Sequence, residues 1–506
     1  MGFTVRCNTC QPIPVLQAAL PIPEGLSLHE LYARLPLDHL GTALLDSAAE
    51  PSPGGRFCLA RYSIIAQEPF GVLEAHPNGV WWRTAEGSEW LTGDPLQWLQ
   101  CFLNRYRLPA QHDAVPLPAG AVGFLNYGLK ELLEPCPNRL PAVNRLPMFW
   151  FAFYDAIATV DLSRSEVLLT SSGLPETDAN RHRRAQERLR RLQAQWERLL
   201  HQPPAHALST FRAGEVQAIW SRREYTRALQ KVKDYIADGH VYQVNLAQPF
   251  QAHFEGSPSA LFLRARQISP APFEALLRTD DFTILSLSPE RFLHVSPLTR
   301  RVHTRPIKGT RPRGENPSED RRLAEELRHS MKDRAEHIMI VDLERNDLGR
   351  VAQTGSVRVA ELMALEGYAQ VYHLTSTVEA VLLPEVDVDR LIRATFPGGS
   401  ITGAPKVRAM QIIEELEPVA REVYTGAVGY IGFHGGLDLN VAIRTAVLRE
   451  NKLTFFAGGG IVADSDAEAE YEETLAKARG WFETVADGGT RTNAVGVERR
   501  STVPRK

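Results

Sequence analysis

Four groups of residues in this chain have the types and spacing to do chemistry. Asp333 and Glu336 stand three apart in Met331-Lys-Asp-Arg-Ala-Glu-His, and Glu470 and Glu473 stand three apart in Glu468-Ala-Glu-Tyr-Glu-Glu-Thr. On a helix that spacing puts both carboxylates of a pair on one face. Either pair alone reads equally as a solvated helix face. Two such faces opposed would suit Mg²⁺, which takes one or two carboxylates together with waters and substrate oxygens. The run Phe396-Pro-Gly-Gly-Ser-Ile-Thr-Gly-Ala-Pro-Lys406 feeds a helix start, where free N–H groups can meet an anion, although a plain tight turn explains it too. It is not a Walker A loop, because Gly403 is followed by Ala-Pro. Gly458, Gly459 and Gly460 follow the strand-like Leu453-Thr-Phe-Phe, so a second backbone or a ligand carboxylate can approach closely there. Lys308 lies beside Gly309 among Arg305, Arg311 and Arg313. Cationic neighbours and burial would both lower its pKa and free the amine as a nucleophile.

These groups need elements to hold them. Ser221 with Glu224 three on predicts a capped helix to about Asp238, stopped by Gly239. Strands are expected at Tyr242–Ala247, Thr283–Ser288, Phe292–Val295, Ala427–Phe433, Leu439–Leu448 and Lys452–Ala457. Helices are expected over Ser318–Asp342, from near Ala404 to Pro418, and over Asp466–Val485. Short strands and turns fill Leu44–Thr170, and an amphipathic helix runs over Asp178–Leu200. Residues 1–25 read as an irregular N-terminus, 201–218 as a linker and 487–506 as a disordered tail. Between them lie an N-terminal region, 26–200, and a second region, 219–486. Strands and helices mix without βαβ regularity, which predicts an α+β protein with large antiparallel sheets.

Composition narrows the function classes. The chain has 506 residues, 43% hydrophobic and 23% charged, which is the profile of a globular protein. Its net charge of −3 carries no signature of a nucleic-acid or membrane partner. No apolar run is long enough to span a bilayer. Five cysteines, with no second pair beside Cys7 and Cys10, argue against a disulfide framework or a zinc ribbon and point to the cytoplasm.

The order of the motifs is more specific than any one of them. Ser288-Pro-Glu-Arg-Phe, Arg305-Pro-Ile-Lys-Gly-Thr, Lys332-Asp-Arg-Ala-Glu-His, the Phe396–Lys406 run and Ala457-Gly-Gly-Gly-Ile-Val-Ala-Asp-Ser follow one another. In that order they resemble the chorismate-utilising enzyme family, strongly over 221–485. The fold this implies is an anthranilate synthase component I-like sandwich of two large antiparallel β-sheets with helices outside, the active site lying between them. The resemblance makes 219–486 the chorismate-binding catalytic region. It implies Glu336 and Glu473 as first ligands of Mg²⁺, with Asp333 and Glu470 behind them. It implies Lys308 as nucleophile, Glu290 as general acid and His373 as an active-site histidine. Arg444, Tyr424, Ser400, Gly309, Thr310, Lys406 and Gly458 to Gly460 would line the site for chorismate.

Two positions choose a branch. Members that add water carry a lysine base where this chain has Gln243, and a neutral amide cannot deprotonate water at pH 7. Members that aminate the ortho carbon read Pro-Ile-Ala-Gly-Thr where this chain reads Pro-Ile-Lys308-Gly-Thr. The resemblance therefore favours amination at C4, with ortho amination and a non-catalytic effector-binding homologue as alternatives. No cysteine sits in a glutaminase Gly-x-Cys-x-Gly elbow, so a separate glutamine amidotransferase subunit is implied as partner. An effector site would use Ser47, Arg56, Phe57, Pro272 and Phe273.

Overall fold

The computed structural model describes residues 15–48, 59–110, 115–176, 180–202, 210–368 and 371–487. Two antiparallel sheets organise it. The first runs Leu16–Pro21, Glu166–Ser171, Ala156–Asp161, Tyr62–Ala66, Ala43–Asp46, Phe273–Arg278, Phe282–Ser288, Thr445–Arg449, Lys452–Ile461, Gln243–Gly256 and Phe211–Ala213. The second runs Ile307–Pro312, Val371–Val381, Arg301–Arg305, Arg291–Val295, Leu437–Asn440, Ala427–Gly432, Gly120–Leu125, Phe149–Tyr154, Gly71–His76, Gly79–Thr84 and Gly87–Thr92. Each sheet joins a block of strands from the N-terminal region to a block from the C-terminal region, at Ala43–Asp46 against Phe273–Arg278 and at Gly120–Leu125 against Ala427–Gly432, so the two regions share one framework.

Alternation along the strands builds the sandwich. In Phe149–Tyr154, Trp150, Ala152 and Tyr154 join a core shared by both sheets, which also holds Ile64, Ile157, Leu277, Ile284 and Val428. Phe149, Phe151 and Phe153 point to the opposite face, where Leu96, Leu99, Leu391 and Ile392 cover them from helices Pro95–Arg105 and Val388–Thr395. A strand apolar on both faces is what burial from two sides demands. The outer face of the first sheet is covered by helices Asn180–His201, Pro258–Ile268 and Ala467–Asp487, which bury Trp196, Phe262 and Trp481.

Several expected elements hold. Ser221 and Glu224 cap the helix Arg222–Ala237 reciprocally, and Gly239 follows with a positive φ of 76°. Others are corrected. Residues 1–25 are not irregular throughout, because Leu16–Pro21 pairs with Glu166–Ser171 as an edge strand. The expected linker contains Phe211–Ala213 and Gln217–Ala218, both paired with Gln243–Gly256. Ser318–Asp342 is two helices, Pro317–His329 and Met331–Gly349. Ser330, extended at φ −61° and ψ 111°, separates them and accepts a hydrogen bond from the N–H of Asp333. Leu439–Leu448 is also two strands, one in each sheet, joined by a crossing in which Arg444 takes φ 50°. Of the tail expected over 487–506, Asp487 ends the helix Ala467–Asp487 and the rest lies outside the described residues.

Candidate active site

The cleft forms where the ends of both sheets meet two helices. Strand Ile307–Pro312 carries Lys308, and its neighbour Val371–Val381 carries His373. Helix Met331–Gly349 carries Asp333 and Glu336, and helix Ala467–Asp487 carries Glu470 and Glu473. The loop Phe396–Pro405 closes one wall.

Ser400 joins Lys308 to Glu290. Lys308 Nζ donates to the Ser400 carbonyl at 2.9 Å, and Ser400 Oγ donates to Glu290 Oε1 at 2.6 Å. Glu290 is buried, and loss of solvent pushes its pKa up to about 7 against the opposing pull of Ser400, Lys308 and Lys477. Burial also lowers the pKa of Lys308, opposed by Glu336 and Glu290. The arginine neighbours expected to depress it do not. Arg305 is held by Glu366, Arg311 by Glu326 and Asp333, and Arg313 by Asp320. Desolvation, with Lys477 in support, shifts this amine toward its neutral form.

The acidic pairs do face one another. Lys332 Nζ lies 3.7 Å from Glu470 Oε1, bridging the two helices. Lys477 Nζ lies 2.7 Å from Glu473 Oε1 and donates to the Gly458 carbonyl at 2.9 Å. Burial raises the pKa of Glu336, with Asp333 and Glu470 adding repulsion. Asp333 is the member set back, since its carboxylate is paired with Arg311 at 3.1 Å. Among the described residues no three acidic, cysteine or histidine side chains form a ready cage. The oxygen-only donor set would suit Mg²⁺, with Glu336 and Glu473 as the residues that would hold it, Glu470 beside them, and Lys332 and Lys477 now paired with two of these carboxylates.

The glycines make room for these groups. Gly458–Gly460 lie within the strand Lys452–Ile461 rather than in a turn after it. A Cβ at Gly460 would sit 1.9 Å from Gln243 Nε2, and one at Gly459 would sit 3.2 Å from Glu470 Oε2. Along its other edge this strand pairs with Thr445–Arg449 only as far as Phe455, which leaves that edge open beside the three glycines. Gln243 Oε1 is buried and has no hydrogen-bond partner among the described residues. Tyr424 stacks on Phe456 with ring centroids 5.2 Å apart.

Arg444 is the unusual group. Burial lowers its pKa, no carboxylate offsets that effect, and its charge acts on His373. A half-buried guanidinium with no carboxylate partner among the described residues is primed for an anion. His373, hydrogen-bonded through Nδ1 to Thr310 Oγ1 at 2.8 Å, has its pKa pushed down to about 3 by burial and by Arg444, so it is neutral.

Lys406 corrects an expectation. Its ammonium is bound to Asp347 and donates to the Thr395 carbonyl at 3.3 Å, so it anchors the loop and is not free for a substrate. Sequence reasoning also missed residues. Lys477 lies one helical turn beyond Glu473. His337 touches the Lys308 carbonyl at 3.4 Å and Ser376 Oγ at 2.6 Å. Glu344 and Asp347 extend the face begun by Asp333, Glu336 and Ile340. Helical spacing from the acidic pairs was the available signal for all of these.

The expected effector residues lie elsewhere. Ser47 Oγ donates to the Pro272 carbonyl at 2.7 Å, and Arg291 lies 4.9 Å over the Phe273 ring. Beside them Arg266 bridges Asp46 and Glu274 at 2.7 and 3.2 Å. Arg56 and Phe57 lie outside the described residues.

Comparison with known proteins places this geometry. A family model described as chorismate binding enzyme matches residues 59–483. The chain belongs to that family. It is 44% identical over 370 residues to aminodeoxychorismate synthase component 1 of Klebsiella aerogenes, covering 73% of this chain and 78% of that one. It is 38% identical over 491 residues to anthranilate synthase component 1 of Bacillus caldotenax, covering 94% of each. The crystal structure of anthranilate synthase component I from Streptococcus pneumoniae superposes with a TM-score of 0.74 at 29% identity, over 92% of this chain and 99% of that one. The sandwich of two antiparallel sheets with outer helices is thus the fold of this family. No helix among the described residues is long and apolar enough to cross a membrane.

Proposed function

We propose that this chain is the chorismate-binding component of an aminodeoxychorismate synthase, which converts chorismate and ammonia to 4-amino-4-deoxychorismate and water. The observation that carries the reading is Ser400, which holds the Lys308 amine and the Glu290 carboxyl on one residue. Arg444 and the open strand edge at Gly458–Gly460 receive the substrate carboxylates. Glu336 and Glu473 would hold Mg²⁺, which when bound would neutralise charge at a substrate carboxylate.

The neutral Lys308 amine attacks C2 while the C4–O bond breaks. Glu290 gives its proton to the departing hydroxyl, which leaves as water. Both ring double bonds shift and an ammonium-linked adduct remains on Lys308. Ammonia then attacks C4, the bond between C2 and the Lys308 nitrogen breaks, and the amine is neutral again. The new C4 ammonium returns its extra proton to Glu290. Gln243 Oε1, a buried acceptor with no partner among the described residues, is placed to receive an ammonia N–H. His373 stays neutral and orients Thr310.

The relatives named component 1 support a glutamine amidotransferase as second component and ammonia source. Amination at C2, the anthranilate synthase reaction, is a second reading, favoured by the Bacillus caldotenax match over 94% of both chains. Lys308 decides between them, because a nucleophile that occupies C2 directs ammonia to C4. Chorismate without ammonia should leave a covalent adduct on the Lys308 peptide, seen by mass spectrometry. Lys308→Ala should lose the adduct and most of the C4-amino product. Anthranilate as the wild-type product would reject the assignment.

A further inference from the structure

Glu344 has no place in the reaction as described, yet it lies directly behind the reacting groups. It is on helix Met331–Gly349, two turns beyond Glu336, and its side chain is buried. The N–H of Gly399 donates to Glu344 Oε1 at 3.2 Å, and the next residue, Ser400, donates its hydroxyl to Glu290 Oε1 at 2.6 Å. Two buried carboxyl groups therefore hold adjacent residues of one turn, approached from different elements. A Cβ on Gly399 would lie 3.5 Å from Glu344 Oε1 and 2.5 Å from Leu343 Cδ2, so the helix presses against the loop here. One turn further on, Asp347 holds Lys406, the far end of the same loop.

We propose that Glu344 is a positioning residue that fixes the Gly399–Ser400 turn and, as the second carboxyl of a pair, keeps the proton on Glu290. Like charges enclosed together cannot both ionise near neutral pH, so the pair retains one proton where a lone carboxyl would lose it. The groups acting most strongly on Glu290 are Ser400, Lys308, the N–H of Ile307 and Lys477, and Glu344 stands behind them across the Gly399–Ser400 turn. Those facing Glu344 are Asp347, Lys406, Glu290 and the N–H of Gly399. Burial raises both carboxyls to about 7. The proposal rests on Glu290 acting as general acid beside a neutral Lys308.

The test is Glu344→Gln, which keeps a hydrogen-bond acceptor for Gly399 and removes the charge. Turnover of chorismate is followed against pH at fixed, saturating free ammonia. Glu290→Gln identifies which limb of the profile belongs to Glu290. In Glu344→Gln that limb should move down by about 0.5–1 pH unit, the size of one enclosed like charge. Because the active form has its proton on Glu290 while Lys308 is neutral, kcat should fall by the matching factor, about three- to tenfold. Glu344→Asp, which keeps the charge, should hold the limb near its wild-type position even where KM rises. An unmoved limb in Glu344→Gln overturns the proposal, whether or not kcat falls. A product aminated at C2 would overturn the C4 assignment and leave the pH comparison standing, since the hydroxyl departs in either reaction.

Discussion

Arg444→Met should make the protein more stable and less active at once. The Arg444 guanidinium is half-buried, and among the described residues no carboxylate offsets its loss of solvent. An uncompensated charge of this kind costs the folded state about 1–2 kcal/mol even where some solvent reaches it. Methionine matches much of the length and carries no charge. For a chain of 506 residues the unfolding entropy is about 1 kcal/mol per kelvin, so the variant should melt about 1–2 °C higher without ligand. Chorismate at a hundredfold excess over its Kd adds about 2.7 kcal/mol to the wild type, which should reverse the order of the two melting curves. Losing a bidentate, charge-assisted contact of about 3–5 kcal/mol should cut kcat/KM by about 10²–10⁴. Scanning calorimetry with and without chorismate, beside steady-state kinetics, reads all three effects. A variant that melts lower than wild type without chorismate and keeps its KM would show that Arg444 serves the fold.

Two further outcomes are expected. Excess EDTA should abolish turnover and Mg²⁺ should restore it, while Glu336→Gln or Glu473→Gln should lose activity by about 10² or more with no rescue by Mg²⁺; full turnover in EDTA would sink the metal assignment. The isolated chain should use ammonium salts at alkaline pH but not glutamine, measured as product by chromatography, and glutamine-driven turnover by the pure chain would contradict the two-component reading.

Much of the site was legible because its chemistry is local. Glu470 and Glu473 declare a shared helix face through spacing alone, and Ser221 with Glu224 declares a helix start. What escaped depends on tertiary contacts. The arginines around Lys308 read as a cationic field, but each finds an acid from another element, and burial does the work instead. Lys406 read as an anion ligand until Asp347, 59 positions away, took its charge. The break at Ser330 was readable, since Ser330 with Asp333 three on is a capping signal, but the charged run around it continued the helical pattern. Leu439–Leu448 read as one strand because its apolar content is continuous. Only the crossing at Arg444 separates the sheets, and that crossing delivers the guanidinium into the cleft.

Helix Met331–Gly349 shows why the fold can set several pKa values together. Its first turns carry Asp333, Glu336 and His337 toward the metal face and the back of the Lys308 strand. Its later turns carry Glu344 and Asp347 against the loop that contains Ser400. One helix therefore fixes where Glu336, the back of the Lys308 strand and the Gly399–Ser400 turn stand relative to one another. A change in the pitch or seating of that helix would move all three, whereas a change in one side chain tests one of them. Glu336→Gln and Glu344→Gln can then be read separately, because each takes the charge from one carboxylate on a different turn of that helix.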